Sequence, residues 1–194
     1  MSQLSLPPAM ADLRSDLGSI VAEMERRAPY AAVWASADHG LAITLDDREE
    51  NVTERPRTSG TVLTVFDGEC LRERAIGGFD RAAVAQSARE LTDSIGSARA
   101  RSIDPGPART GDFATARNAL TTIEKLERLR DLHRRVRAID SSLASVRVRY
   151  LDLSTRMIFC NRTADLAQHI DRMYLMVFLV AASDTGRQFN FRVK

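Results

Sequence analysis

The chain has 194 residues, 44% of them hydrophobic and 28% charged. At roughly 150 residues per domain that is one domain, and a composition near the globular mean excludes a disordered chain, a collagen-like fibre and a low-complexity tail. Net charge is +2, from 28 basic and 26 acidic residues, so the whole chain exerts no strong pull on nucleic acid or membrane.

Nearly all the basic residues are Arg; Lys occurs only at Lys125 and Lys194. Arg suits bidentate recognition of phosphate or carboxylate, but codon usage in a GC-rich genome is the favoured explanation. The two cysteines, Cys70 and Cys160, lie in apolar, strand-like contexts outside any CxxC. They read as small buried hydrophobes in a reducing compartment. Met1–Met10 carries no basic region followed by an apolar stretch, so no secretory signal is expected. The longest apolar run, Met173–Ala182, has ten residues, against about 20 for a membrane helix. The expectation is a soluble, cytoplasmic protein.

Residues 1–9, with Pro7 and Pro8, read as a loose N-terminus ahead of one α+β domain over 10–194. Leu13, Leu17, Ile20, Val21 and Met24 recur at helical spacing, and Pro29 ends that helix. Tyr30–Ala37 reads as a strand, Asp38-His39-Gly40 as a turn and Leu41–Leu45 as a returning strand. Asp46–Ser59, charged and holding Pro56, reads as a loop or a frayed edge strand. Thr61–Phe66 and Glu69–Ile76 form a hairpin about Asp67-Gly68.

Asp80 suits the N-cap of a second helix running to about Ala98, with Val84, Ala88, Leu91 and Ile95 inward. Residues 99–111, with Pro105, Gly106, Pro107 and Gly111, form the clearest loop and divide the domain into halves 10–98 and 112–194. Thr121 and Glu124 fit a capping box for a third helix, with Leu129, Leu132, Val136 and Ile139 on its apolar face. Strands are expected at Val146–Leu153, Met157–Cys160, Met173–Ala182 and Gln188–Val193, with a polar looped or partly helical stretch at Asn161–Arg172 and a turn at Asp184-Thr185-Gly186.

Two strand blocks, 30–76 and 145–193, follow one plan, which admits an internal duplication. The fold class is α+β: antiparallel or mixed sheet packed by about three helices.

No catalytic signature emerges. His39, His133 and His169 belong to no HExxH or metal cluster, and no GxSxG, P-loop or GxGxxG is present. Gly77-Gly78 reads as a turn, since Asp80 would repel an anion there. On the basic helix, Lys125, Arg128, Arg130, Arg134, Arg135 and Arg137 are interleaved with Glu124, Glu127 and Asp131, without aromatics for base stacking. This reads as a solvated face. Met173–Ala182 is apolar on both sides. Leu175, Val177 and Leu179 are expected under the domain's own helices. Tyr174, Met176 and Phe178 are expected nearer a surface covered by a neighbouring domain or subunit.

Several stretches resemble a known family in their order. They are Tyr30-Ala31-Ala32-Val33-Trp34, the run Ser59–Gly68, Val146-Arg147-Val148-Arg149-Tyr150 and Ile158-Phe159-Cys160-Asn161. From about Leu13 to Val193 the pattern resembles the N-terminal region of the TldD/PmbA metallopeptidases, also called modulators of DNA gyrase. The resemblance implies a C-terminal domain with an HExxxH zinc motif and a further cysteine ligand. This chain has no such motif, so no catalytic residue carries over and no metal or other cofactor is expected in it. It looks like a fragment of a longer protein or a naturally short relative.

The resemblance also implies a homo- or hetero-oligomeric assembly of family subunits that encloses an extended peptide, involved in proteolysis or peptide maturation. The domain's part in it is structural, partner-binding and peptide-accommodating. The alternative is a free-standing module that binds protein or nucleic acid through the Arg-rich helix.

Overall fold

Pro8 fills the first helical position, where a missing N–H costs nothing, and opens α1 (Pro8–Met24) earlier than the expected loose segment allowed. In the computed structural model, which describes residues 4–96, 101–115, 120–183 and 186–193, α1 is followed by β1 (Tyr30–Leu45), β2 (Glu50–Phe66), β3 (Leu71–Gly77), α2 (Arg81–Asp93), β4 (Arg109–Ala114), α3 (Thr122–Arg137), β5 (Leu143–Asn161), β6 (Ala164–Ser183) and β7 (Gly186–Val193). The strands form one sheet in the order β3-β2-β1-β5-β6-β4, and β7 also pairs with β6. The β2–β3 and β6–β7 pairs are antiparallel and β4–β6 is parallel, so the sheet is mixed and the α+β class holds. The two strand blocks keep a common long-long-short plan, of 16, 17 and 7 residues and then 19, 20 and 8.

The chain divides into two compact units. The first comprises residues 1–38, 58–116 and 155–170. Its core joins Met10, Leu13, Leu17 and Val21 of α1 and Val84, Ala88 and Leu91 of α2 to Ala31, Val33, Leu63, Val65, Ile158 and Ala167 of the sheet. Small sheet residues let α1 sit close. Arg14 anchors α1 through Asp112 of β4 (2.8 Å) and Asp165 of β6 (2.9 Å). Asp80 caps α2 as expected, accepting from the Ala83 amide at 2.8 Å. That helix ends at Asp93, ahead of Gly96, while Ser94 Oγ donates to the Leu91 carbonyl. The rest of the expected helix, residues 97 and 98, lies outside the described residues.

The second unit comprises residues 39–57, 117–154 and 171–194. Its core is Leu41, Ile43, Leu45, Val146, Val148 and Tyr150 from the sheet against Leu129 of α3. Leu126, Leu132, Val136, Leu175, Val177 and Leu179 pack around them. The capping box forms: Thr121 Oγ1 accepts from the Glu124 amide (3.2 Å) and Glu124 accepts from the Thr121 amide (2.7 Å). Ile139 falls beyond the helix and is 76% exposed, so the apolar stripe stops at Val136.

Two expected breaks turn out to be continuous strand, and a third is strand after a short turn. Asp38-His39-Gly40 is not a turn, because β1 runs through it. Gly40 answers a close approach instead: a Cβ there would lie 2.2 Å from the backbone oxygen of Asp152 in neighbouring β5. The supposed gap between Leu153 and Met157 lies inside β5, where Ser154 and Thr155 are buried. Polar residues marked solvent in the sequence but are interior here. The Asn161–Arg172 stretch is a tight turn and then strand. Asn161 Oδ1 accepts from the amides of Thr163 (2.9 Å) and Ala164 (2.7 Å), and β4, from the end of the expected Pro/Gly loop, pairs with Ala164–His169. Pairing from a distant segment left no local signal.

Asp46–Ser59 is a turn only to Glu49, where Asp46 accepts from the Arg48 and Glu49 amides. From Glu50 it is strand, exposed throughout to Ser59. Strand β3 reaches back only to Gly60, so the run with Pro56 is the frayed edge anticipated as one alternative. The Asp67-Gly68 turn forms, with Gly68 at φ +99°. The Cys70 and Glu69 amides and the Arg72 guanidinium hold the Asp67 carboxyl down to about 2. Of the expected Asp184-Thr185-Gly186 turn, Asp184 and Thr185 lie outside the described residues; Ser183 pairs with Gly186.

Cys70 is exposed, contrary to expectation, because it sits in the hairpin connection just ahead of the edge strand β3. Cys160 is buried as expected, and burial pushes its thiol up to about 11.

Two outcomes follow. Gly40→Ala should destabilise the fold by about 1–3 kcal/mol through the clash with Asp152, as read from denaturant midpoints. An aromatic disulfide reagent at pH 8 should label one thiol rapidly, abolished by Cys70→Ser, and the second only after unfolding. Equal labelling rates would contradict the burial of Cys160.

Candidate docking surface

Helix α3 is fastened to the sheet of its unit at several points. Lys125 Nζ lies 2.8 Å from Asp152 Oδ2, with both side chains almost fully buried, and the Tyr150 hydroxyl donates to the same oxygen at 3.2 Å. His133 Nε2 lies 3.1 Å from the Val146 carbonyl and 3.4 Å from Asp47. Arg130 grips Glu50 with two bonds, at 2.6 and 2.8 Å, and Arg137 donates to the Leu143 carbonyl. The basic helix therefore spends much of its charge internally: Arg134 and Arg135 also pair with Asp131. It is a docked and neutralised helix rather than a free cationic face.

Fixing α3 on one side assigns the two faces of the strands beneath it. Side chains alternate along a strand. In β5, Val146, Val148 and Tyr150 pack with α3; in β6, Leu175, Val177 and Leu179 do. That places the latter three under the domain's own helix, as expected. The alternate residues project the other way: Arg147, Arg149, Leu151 and Leu153 from β5, and Arg172, Tyr174, Met176 and Phe178 from β6. None of these belongs to either apolar cluster. Tyr174 is 46% exposed, while Met176, Phe178, Leu151 and Leu153 are half-buried. Met173, expected on the helix side with Leu175, is 71% exposed.

Three arginines accompany this apolar strip. Arg147, Arg149 and Arg172 are exposed. Arg147 reaches Asp46 at 3.0 Å while keeping over half of its side chain accessible. The alternating positions of β5 from Arg147 to Leu153 and of β6 from Arg172 to Val180 contain no carboxylate on this side. The sequence reading passed over these arginines as a surface feature. The signal was present in Val146-Arg147-Val148-Arg149-Tyr150, whose strict alternation puts Arg opposite the buried residues. The Lys125–Asp152 pair left a fainter mark: one of two lysines in an Arg-rich chain, one turn into a capped helix.

Catalytic and metal chemistry finds no comparable assembly. Among the described residues no group of three or more His, Cys, Asp or Glu is placed to hold a metal ion. His39 lies in β1 and His169 in β6, neither in the turn or loop expected. A cavity of about 450 Å³ beside α1 is lined by Ala11, Arg14, Ser15, Gly18, Cys160 and Asp165, but its charged groups are committed to the anchor of α1. Among the described residues no helix is long and apolar enough to cross a membrane.

No protein-family model matches the chain, and no curated protein does. Solved structures do match. A candidate modulator of DNA gyrase from Bacteroides thetaiotaomicron superposes with a TM-score of 0.70 at 13% identity, over 97% of this chain and 45% of its own. A candidate modulator of DNA gyrase from Thermotoga maritima gives 0.65 at 13% identity, over 95% and 42%. TldE from Thermococcus kodakarensis gives 0.61 at 11% identity, over 96% and 43%. The chain thus spans less than half the length of each of these proteins. Over 95–97% of its own length it has a fold that the DNA gyrase modulators and TldE contain.

Proposed function

We propose that this chain is a non-catalytic domain of the TldD/PmbA type, equivalent to the N-terminal region of that family, which docks a partner subunit and helps to shelter an extended peptide. The reading is supported by the shared fold and by one observation in particular: the strip of Tyr174, Met176 and Phe178 on the side of β6 away from α3. A half-exposed apolar strip on a regular sheet is a liability in a lone monomer and an asset in an assembly.

The described residues do not fit the zinc of that family, so no hydrolytic step is assigned to them. Their contribution is steric and solvational. A rigid sheet excludes water from one side of a docked chain and restricts its conformations, while any chemistry belongs to a different domain or subunit.

The test separates the two sides of one strand. Phe178→Asp should weaken self-association, or association with a supplied family partner, while the circular dichroism spectrum stays native. Val177→Asp should destabilise the second unit by about 1–3 kcal/mol, because Val177, partly buried, packs against the cluster that holds Leu129, Val146 and Val148. Sedimentation velocity and thermal melts read both. Equal unfolding by the two variants would show both sides of β6 to be interior, and would send the docking surface elsewhere.

A further inference from the structure

The apolar strip carries three arginines, of which Arg147 alone meets a carboxylate, that of Asp46, and this narrows what can sit on it. We infer that the surface takes an extended polypeptide whose apolar side chains are flanked by carboxylates. The inference rests on reading this side of the sheet as a docking surface and adds the chemistry of the occupant.

The argument is one of charge complementarity. Arg147 and Arg149 alternate with buried residues on β5, and Arg172 stands on neighbouring β6. Leu151, Met176 and Phe178 supply apolar surface on the same side. A basic segment would meet the guanidinium groups of Arg149 and Arg172, for which β5 and β6 supply no carboxylate on this side, and Arg147, already engaged with Asp46. An acidic one would gain forked, charge-assisted hydrogen bonds. The whole chain carries only +2, so this bias is a local property of the strands and favours recognition over general attraction of polyanions.

A single-stranded nucleic acid also seeks Arg and aromatic rings together. Here the centre of the strip is largely aliphatic, from Leu151, Leu153 and Met176. Aliphatic side chains match apolar amino-acid side chains better than they match stacked bases, so a polypeptide is the favoured occupant.

The experiment uses the full 194-residue chain and three fluorescent probes at 150 mM salt. One is a peptide with a central Leu-Phe-Val segment flanked by Glu; the second has Lys in place of Glu; the third is an oligo-dT. The Glu peptide should bind at least about fivefold more tightly than the Lys peptide, the scale of two or three exposed charge pairs. Arg149→Glu with Arg172→Glu should reverse that preference without lowering the melting temperature, and Phe178→Asp should weaken both peptides.

If both peptides bind equally and only Phe178→Asp weakens them, the docking surface stands and the inferred acidic partner falls. If neither binds and Phe178→Asp leaves association unchanged, both readings fall. Tighter binding of oligo-dT than of the Glu peptide, lost in the Arg149→Glu Arg172→Glu variant, overturns the polypeptide assignment in favour of nucleic acid.

Discussion

The buried pair between Lys125 and Asp152 is the interaction on which the second unit is organised. Removing a carboxylate and an ammonium from water is expensive, and it is tolerated only where each meets the other at short range with further hydrogen bonds. Here the distance is 2.8 Å and Tyr150 adds a donor to the same carboxylate oxygen. Breaking such a pair typically costs about 3–5 kcal/mol, because one charge is then buried alone. The pair therefore acts as a register pin. It tells α3 where along β5 to lie, and the apolar contacts of Leu129, Leu132 and Val136 follow from that placement. Gly40 belongs to the same arrangement: its missing side chain lets the backbone of Asp152 come close to β1.

Once α3 is pinned on one side, period-two alternation decides everything about the other. A strand cannot bury Val146, Val148 and Tyr150 under a helix without turning Arg147, Arg149 and Leu151 away from it. The candidate surface is thus a geometric consequence of the core. The same side chains on a helix would scatter around its axis, whereas on a strand they line up. This is why a substitution on one side of β6 tests packing and its immediate neighbour tests docking.

The helices were legible because their signals are local. The Asp80 cap, the Thr121–Glu124 box and the 3.6-residue stripes lie within a few residues of one another, and each appears in the structure. The hairpin at Asp67-Gly68 was legible for the same reason. The long strands were read in pieces. Gly40 looked like a turn because glycine's freedom in turns is its commonest use, and only the distant Asp152 backbone reveals the close approach. Buried Ser154 and Thr155 imitated a loop, and the polar start of β6 is strand because β4, some 55 residues earlier, pairs with it in parallel. Tyr174, Met176 and Phe178 were visible as the second side of an apolar strand. The arginines beside them were in plain view too, but their meaning needed knowledge of which side α3 occupies.

The Arg-rich helix reads in the sequence as a solvated face, with binding of protein or nucleic acid through it as the alternative. The structure redistributes that charge. On α3, Arg130, Arg134, Arg135 and Arg137 answer Glu50, Asp131, Asp47 and the Leu143 carbonyl. On the strands, Arg149 and Arg172 have no carboxylate on their own side of β5 and β6. Counting basic residues along a segment finds the most crowded element and not the most available charge. Exposed ion pairs contribute little to stability, but they do cancel a helix's field beyond a Debye length of about 8 Å. The guanidinium groups of Arg149 and Arg172 beside an apolar strip, by contrast, would act at contact range, where displaced water raises the value of each hydrogen bond to a carboxylate. On the proposed reading, selectivity would lie on the sheet, with the basic helix as the fastening packed on its other side.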